Sequence, residues 1–139
     1  MFAKILAAND GSPGAMKALA AAIALAKTHA AALHMVTVEE LPRFPASIDE
    51  VEEIRTEEDR QLTPVLDAAR AQAQAAGLPL VTRLVPGHPV EAIVTLVGEQ
   101  GFDLLVVGFM GHSALYQRMI GGTTDRLVDL APCTVLVVK

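Results

Sequence analysis

Residues 103–129, DLLVVGFMGHSALYQRMIGGTTDRLVD, decide how this chain is organised. The segment opens with four apolar residues, 104–107, a pattern typical of a strand covered on both faces of a parallel sheet. Gly108 ends the strand, and the GGTT cluster at residues 121–124 predicts the start of a helix. Glycines let backbone N–H groups approach an anion closely, and a helix N-terminus adds unpaired donors. The segment therefore predicts a phosphate-binding loop.

These glycines also have an ordinary interpretation, because the exit from a buried strand often needs a glycine. Charge favours the phosphate interpretation, since residues 104–124 contain no acidic residue in a chain that has 16 of them. His112 and Arg118 lie in this interval, and each is either a phosphate donor or an exposed loop residue. The spacing matches neither G-x-G-x-x-G nor G-x-x-x-x-G-K-[ST], which disfavours dinucleotide redox chemistry and P-loop phosphoryl transfer.

The composition limits the other classes of function. A formal net charge of −5, without a cluster of Lys and Arg, argues against nucleic acid as a partner. The longest apolar stretch, residues 18–26, is shorter than the roughly 20 residues of a membrane span, so we expect no membrane partner. Cys133, the single cysteine, is interpreted as a buried small hydrophobe, with a reactive thiol as the alternative. One unpaired cysteine and no signal peptide predict a cytoplasmic protein.

Strand and helix patterns alternate along the chain, and its length of 139 residues predicts one domain, residues 1–139. The predicted strands are residues 3–8, 32–38, 80–85, 104–107 and 134–138. The predicted helices are residues 13–30, 50–77, 123–130, and one from residue 89 to the glycines within 98–101. This alternation predicts an α/β fold with a parallel sheet.

Local signals refine several boundaries. Ser12, directly before a proline, predicts the N-cap of the first helix. Residues 39–49 contain two prolines and are predicted to form an irregular surface loop. Pro64 interrupts the second helix and predicts a kink or a break at residues 60–63. The acidic residues within 49–59 are interpreted as a solvated helix face, with a metal site as the alternative.

The glycine spacing resembles that of the ATP-binding members of the universal stress protein family. Two residues separate Gly108 from Gly111, and nine separate Gly111 from Gly121, as in the motif of that family. The resemblance extends over nearly the whole chain, through KILAANDGSPGAMKAL, LHMVTV, VPGHPVEAIV, FDLLVVG and APCTVLVVK. The chain departs from the motif at Gly122, where the family has serine or threonine, although two threonines follow at once.

This resemblance implies an open five-stranded parallel sheet of order 3-2-1-4-5 with helices on both faces, the Rossmann-like fold of the adenine nucleotide alpha-hydrolases. That order places a topological switch point between the first and fourth strands, where ligands bind beyond the carboxyl ends. Residues 9–11 and 108–111 follow those two strands, so the glycine motif lies where the topology predicts a ligand. The family also implies a homodimer through the apolar edge strand Thr134 to Val138.

The resemblance further implies which residues contact an adenine nucleotide. They are Ala8, Asp10, Met35, Gly108, Gly111, His112, Gly121, Gly122, Thr123 and Thr124. Asp10 corresponds to an aspartate that lies against the ribose and phosphates and is a candidate Mg²⁺ ligand, with helix capping as the alternative. Met35 falls where the main chain of the family contacts adenine, and Ala8 lines the same pocket.

The resemblance implies a stress-response protein that binds ATP or another adenine nucleotide, as a signal or as a structural ligand. One alternative is an interaction module of the same fold that binds no nucleotide. A second alternative is an enzyme that hydrolyses ATP, but the loop has no Lys and the chain offers no positioned base beyond Asp10. We therefore expect no catalytic residue and at most slow hydrolysis.

Overall fold

The computed structural model describes residues 1–40, 47–109 and 122–139, without the side chain of residue 58. Within these ranges strands and helices alternate, as predicted. In chain order they are β1 (Lys4–Ala8), α1 (Pro13–His29), β2 (Ala32–Glu40), α2 (Ile48–Ala75), β3 (Leu80–Gly87), α3 (Pro89–Gln100), β4 (Leu104–Gly108), α4 (Gly122–Leu130) and β5 (Thr134–Val138).

The strands form one five-stranded sheet in the order β3-β2-β1-β4-β5, and every neighbouring pair is parallel. This confirms the predicted fold class and strand order. Strands β1 and β4 pair directly and in parallel, so their carboxyl ends lie side by side. Ala8 at the end of β1 lies opposite Val36 of β2, and Gly108 at the end of β4 lies opposite Val138 of β5. The chain leaves these two neighbouring strands toward opposite edges of the sheet, which makes the gap between them the switch point.

Helices cover both faces of the sheet, and each face has its own apolar core. Successive side chains of each strand point to opposite faces of the sheet. Helices α1 and α2 cover one face, and α3 and α4 cover the other. The first core combines Ile5, Ala7, Met35, Leu104 and Val106 with Leu19 and Ile23 of α1 and Ala69 and Ala73 of α2. The second combines Leu6, Val36, Leu105 and Val107 with Val90, Ile93 and Val97 of α3 and Leu127 of α4. The alanines of α1 allow its backbone to lie close to the sheet.

Helix α1 begins as its sequence predicts. The Ser12 hydroxyl accepts a hydrogen bond from the Ala15 N–H at 3.2 Å, and Pro13 occupies the first turn, where its missing N–H costs nothing. Ser12 is 1 % exposed, so this cap is part of the packed core of the protein. The helix ends at Ala30, whose φ of 53° is the left-handed conformation of a C-terminal cap.

Of the kink or break predicted at residues 60–63, the break is wrong, because α2 runs unbroken through Pro64, and the kink stays a prediction. Two contacts help to explain this continuity. The Thr63 hydroxyl donates to the Asp59 carbonyl at 2.7 Å, within the turn that the proline weakens. Beyond the proline, Ala69 and Ala73 are buried on the sheet, and this packing outweighs one missing hydrogen bond.

Strand β2 extends to Glu40, and α2 begins at Ile48 behind an N-cap at Ser47. Residues 41–46 of the predicted loop lie outside the described residues. The acidic side chains described within residues 49–59 are exposed, as expected for a solvated face. Among the described residues no group of three or more His, Cys, Asp and Glu side chains is placed to hold a metal ion.

Strand β5 forms one edge of the sheet, and Val135 to Val138 are only partly buried. Cys133, expected to be buried, is half-buried beside the α3 and α4 core, and its burial raises the pKa of the thiol. In the described part of the chain, no helix combines the length and the apolar character needed to cross a membrane.

Candidate functional site

The candidate site is the switch point at the carboxyl ends of β1 and β4. The turn Asn9–Ser12 follows β1 and leads into α1, while Phe109 follows β4 and α4 begins nearby at Gly122. The Phe109 N–H donates to the Val138 carbonyl at 2.9 Å, which continues the β4 and β5 ladder up to the rim of the site.

Buried polar side chains concentrate at this end of the sheet. Among the described residues they are Asn9, Ser12, Thr37, Glu39 and Thr124, each at most 6 % exposed. Two follow β1, two lie in the last part of β2, and Thr124 bonds to the end of β4. Burying a polar group is costly unless it is paired, so this end of the sheet is the candidate site.

Asn9 organises the turn after β1. Its N–H donates to the Val36 carbonyl at 2.9 Å, and its side-chain oxygen accepts from the Gly11 N–H at 2.9 Å. Its side-chain amide contacts two thioether sulfurs, Sδ of Met16 at 3.2 Å and Sδ of Met35 at 3.4 Å. Because these sulfurs are weak acceptors, the Asn9 side chain is held mainly by packing and by the hydrogen bond from the Gly11 N–H.

Asp10 is the exposed member of the same turn. Its Oδ1 accepts from the Ser12 N–H at 3.0 Å, so the carboxylate shapes the entry to α1, as the capping interpretation proposed. Gly11 follows with a φ of +84°, and a Cβ there would lie 2.7 Å from Cγ2 of Val65 in α2. The turn is therefore fixed between the sheet and α2, with the Asp10 side chain on the open side.

Gly108, the first glycine of the motif, has a packing role. A Cβ at this position would lie 2.8 Å from the carbonyl carbon of Gly14 and 3.0 Å from the Ala15 nitrogen. These are main-chain atoms in the first turn of α1 and cannot move aside as a side-chain end would. The end of β4 and the start of α1 are in contact at this glycine. This contact agrees with the ordinary interpretation, in which the exit from a buried strand needs a glycine.

The three predicted site residues at the N-terminus of α4 differ in their exposure and contacts. Gly122 is exposed, and a Cβ there would have no heavy atom of a described residue within 4 Å, while Thr123 is also exposed. Thr124 is 6 % exposed, and its hydroxyl donates to the Gly108 carbonyl at 2.7 Å. This hydroxyl has one proton, so Thr124 anchors α4 and does not replace the donor that Gly122 lacks. The backbone N–H groups of the first turn have no partner within α4 and lie at the site.

The structure does not bring the Met35 main chain to the site. Met35 is fully buried in the middle of β2, between Ala7 and Thr82. The Val36 carbonyl bonds to β1, and successive main-chain groups of a strand alternate in direction, so the groups of Met35 point toward β3. Ala8 is partly buried against the α3 and α4 core. The predicted residues Gly111, His112 and Gly121, together with Arg118, lie outside the described residues.

The sequence interpretation missed two buried polar residues of β2, Thr37 and Glu39. Oε1 of Glu39 lies 3.2 Å from Nε of Arg55 in α2, and the Glu39 side chain is 4 % exposed against 53 % for Arg55. Oγ1 of Thr37 is buried and has no hydrogen-bond partner among the described residues. Their signal was that they alternate with Val36 and Val38 in the strand HMVTVEE, so that both fall on one face of the sheet.

A sequence model described as the Universal stress protein family matches residues 1–139. The chain belongs to the universal stress protein family.

Relatives and solved structures agree with this assignment. Universal stress protein YxiE of Bacillus subtilis is 33% identical over 148 residues that cover 100% of both chains. The structure of a universal stress protein from Lactobacillus plantarum aligns with a TM-score of 0.89 at 26% identity, covering 99% of this chain and 98% of that one. A universal stress protein solved in complex with cAMP aligns with a TM-score of 0.78 at 27% identity, covering 99% and 97%.

The described residues of this universal stress protein suit an anionic ligand. If that ligand carries a metal ion, the described residues offer one protein ligand to the ion. The α4 N-terminus supplies backbone donors, and no described residue lies within 4 Å of a Cβ at Gly122. Asp10 is the exposed carboxylate at the switch point, and one of its oxygens already accepts from Ser12. Magnesium in nucleotide sites is held by one or two carboxylates plus phosphates, so Asp10 fits as a single ligand to a phosphate-bound ion.

Proposed function

We propose that the chain binds ATP, or another adenine nucleotide, across the carboxyl ends of β1 and β4. It acts in the stress response of the cytoplasm as a nucleotide-dependent signalling or protective dimer. The observation that carries this proposal is the concentration of buried polar side chains at this one edge of the sheet, next to an open helix N-terminus. A family member of the same fold that was solved with cAMP supports a nucleotide as the ligand.

In this proposal the phosphates lie at the start of α4. Backbone N–H groups of Gly122 and Thr123 donate to them, and the glycines at 111 and 121 and His112 complete the loop by the spacing of the family motif. Asp10 lies beside the ribose and phosphates and contributes one oxygen to Mg²⁺. Ala8 lines the adenine pocket. With no positioned base or loop Lys, these residues hold the phosphates and give slow turnover at most.

The dimer is proposed to form through β5. This strand is an edge with a charge-free apolar run, Val135 to Val138, and no Pro or Lys within it to block pairing with a second copy. Two apolar side chains of α4, Val128 and Leu130, are 47% and 49% exposed and extend the apolar surface beside the strand. An interface that covers both the strand edge and α4 would remove this surface from water.

Gly122 is the position at which the nucleotide proposal is tested most directly. Gly122→Ser restores a hydroxyl at a position where a Cβ meets no described residue within 4 Å. One hydrogen bond to a charged acceptor contributes about 1.5–3 kcal/mol, so we expect ATP to bind roughly tenfold more tightly or better. Gly98→Ser is the control, because its side chain meets only Cγ of Pro132 at 3.9 Å. It should leave ATP affinity unchanged.

Thermal unfolding with Mg-ATP provides the measurement. Ligand at about 100 times its dissociation constant adds roughly 2.7 kcal/mol, enough to raise the melting temperature by several degrees. Mass spectrometry of small molecules released from protein purified without nucleotide identifies the resident ligand. If millimolar Mg-ATP shifts neither the parent nor Gly122→Ser, the nucleotide proposal fails and the interaction module replaces it.

A further inference from the structure

Strand β3 forms the edge of the sheet opposite β5 and pairs with β2 on one side only. The main-chain groups of Met35 point toward β3, and Met35 lies opposite Thr82 in the parallel register. In such a register these groups bond to the residues on either side of Thr82, so the N–H and C=O of Thr82 point away from the sheet. Leu80 and Leu84 alternate with Thr82 and have the same direction. The edge therefore presents main-chain donors and acceptors to an added strand.

The open part of this edge is short and carries exposed apolar side chains. Val81 on the α3 and α4 face is 47% exposed, and Leu84 on the α1 and α2 face is 38% exposed. A cleft of about 300 Å³ lies at the start of the strand, between Leu80 and the last turns of α2. Pro86 closes the other end, because it is the next outward-facing residue and has no N–H to donate. An added strand therefore pairs along residues 80–84.

Two arginines border this edge, one on each face of the sheet. Nε and Nη2 of Arg83 lie 3.4 and 3.3 Å from Nδ1 of His34, and among the described residues Arg83 has no carboxylate partner. On the other face Nη2 of Arg70 donates to Oγ1 of Thr82 at 2.8 Å, and Nη1 lies 3.4 Å from the Asp67 carboxylate. The Arg70 side chain is 54% exposed. A guanidinium has five N–H donors, so both arginines retain donors for a further acceptor.

We propose that the β3 edge binds an extended acidic segment of a partner protein, which adds to the sheet as a further strand. Main-chain hydrogen bonds supply affinity in this mode of recognition, and the side chains of the added segment supply specificity. Those side chains alternate between the two faces as the side chains of β3 do. Opposite residues 81–84 the complementary order is apolar, acidic, acidic, apolar. The apolar residues cover Val81 and Leu84, and the two carboxylates face Arg83 and Arg70.

Charge argues against a second copy of this chain as the occupant. Two β3 strands paired edge to edge would bring Arg70 and Arg83 of both copies to one seam, and like charges on facing strands are destabilising. The β5 edge differs, because its run Val135 to Val138 carries no charge. The inference goes beyond the proposed nucleotide function and does not depend on it, since β2 separates β3 from the strands of the switch point.

The probe is the end-blocked peptide Thr-Val-Glu-Glu-Ile-Thr. Its central order of apolar and acidic residues is the same in either direction, so it suits a parallel or an antiparallel strand. NMR titration gives its dissociation constant. The same peptide with glutamine in place of both glutamates should bind about tenfold more weakly, since one exposed ion pair contributes up to about fivefold.

Hydrogen exchange of single amides shows whether the peptide adds as a strand. The outward-facing amides of Thr82 and Leu84 should exchange about tenfold more slowly when the peptide is bound. The amides of Val81 and Arg83 face β2 in both states, so their exchange should not change.

Arg83→Gln tests the charge at the edge. It should weaken binding of the glutamate peptide about threefold and leave the glutamine peptide unchanged, a difference that a purely structural role of Arg83 would not produce. Arg60→Gln is the matched control, because it removes the same charge from the surface of α2, where Arg60 lies 3.9 Å from Glu57. It should change neither affinity.

Leu84→Pro tests the added strand itself. It removes an outward N–H that the ladder with β2 does not use, so the protein should fold and lose the peptide. Leu84→Ala is its control, because it keeps this N–H and should retain binding. If Leu84→Pro does not fold, hydrogen exchange at Thr82 in the parent decides the same question.

The remaining outcomes identify what else occupies the edge. A glutamate peptide that does not bind, or that binds no better than the glutamine peptide, refutes the acidic partner. Binding without protection of the Thr82 and Leu84 amides means contact with the arginines alone and refutes the added strand. A smaller oligomer of Leu84→Pro in light scattering means that a second copy occupies the edge, which also overturns the proposal. The affinity for Mg-ATP is measured separately, so the failure of one proposal leaves the other standing.

Discussion

Replacing Gly108 by alanine separates the packing role of this glycine from a role in ligand binding. The added methyl group would lie 2.8 Å from the Gly14 carbonyl carbon, 2.9 Å from its oxygen and 3.0 Å from the Ala15 nitrogen. Carbon atoms in contact normally lie about 3.5–4.0 Å apart. Because all three neighbours are main-chain atoms, relief requires α1 to move away from β4, and α1 is anchored by the buried Ser12 cap.

The expected cost follows from these distances. Overpacking of a close-packed interior costs about 1–3 kcal/mol, and main-chain neighbours place Gly108→Ala near the upper end of that range. Alanine also stiffens the unfolded chain, which returns about 0.4–1 kcal/mol. The net loss is about 2 kcal/mol. For a protein of this size we expect the melting temperature to fall by roughly 6–8 °C.

The assay is thermal unfolding of the nucleotide-free protein, followed by circular dichroism. Gly122→Ala is the matched control, since its methyl group would meet no described residue within 4 Å and should leave the melting temperature almost unchanged. If Gly108 served only to let a phosphate approach, alanine would instead raise the stability slightly without ligand. A Gly108→Ala protein that melts at or above the temperature of the parent would therefore refute the packing argument.

Three further predictions test other parts of the structure. Ser12→Ala should lower the free energy of unfolding, measured by chemical denaturation, by about 1 kcal/mol. The same change at the exposed N-cap Ser47 should lower it by less, and equal losses would contradict the importance of burial. Burial and two nearby cations lower the pKa of His34 from 6.5, so stability should fall as the pH drops below 6.5, where the unfolded chain binds the proton more readily. His34→Gln should flatten that fall, and an unchanged pH profile would exclude His34 as its cause. Val137→Lys should convert the proposed dimer to monomer in light scattering, whereas a parent that is already monomeric would remove the dimer proposal.

The strands and their order were predictable because the constraints on a parallel sheet are visible in the sequence. The run at residues 104–107 is apolar at every position, and all four residues are buried in the structure. Strand β5 was predicted with its observed bounds, Thr134–Val138. The order came from the family resemblance and not from periodicity, since alternating strands and helices are compatible with several orders.

Helix α2 shows why the break at Pro64 could not be predicted from the local sequence alone. Pro64 lacks an N–H, and that loss is visible in the sequence as a reason to break the helix. Whether the helix breaks depends on what the residues beyond the proline gain by packing. Ala69 and Ala73 are fully or almost fully buried on the sheet, and a contact between distant parts of the chain cannot be inferred from the spacing within one helix.

The position of the candidate site stays a prediction, and the packing roles of its residues were not visible in the sequence. Topology and glycine spacing both indicated the switch point, and the buried polar side chains lie there. The roles of Gly108 and Thr124 depend on which atoms of α1 and β4 meet, and one sequence does not encode those distances directly. Thr37 and Glu39 were missed because two polar residues at the end of a strand are ordinarily exposed, and a contact such as that of Arg55 with Glu39 is not visible in the sequence.

Gly108 and Thr124 together explain how this edge of the sheet can hold negative charge before any ligand contact is considered. Gly108 lets the first turn of α1 approach the end of β4, and its carbonyl accepts the Thr124 hydroxyl at 2.7 Å, which ties the first turn of α4 to the same residue. The unpaired N–H groups at each helix N-terminus carry a partial positive charge. Two such termini are thus fixed against one residue at the switch point. Since no acidic residue occurs in residues 104–124, the loop between β4 and α4 contributes no carboxylate to oppose their combined field.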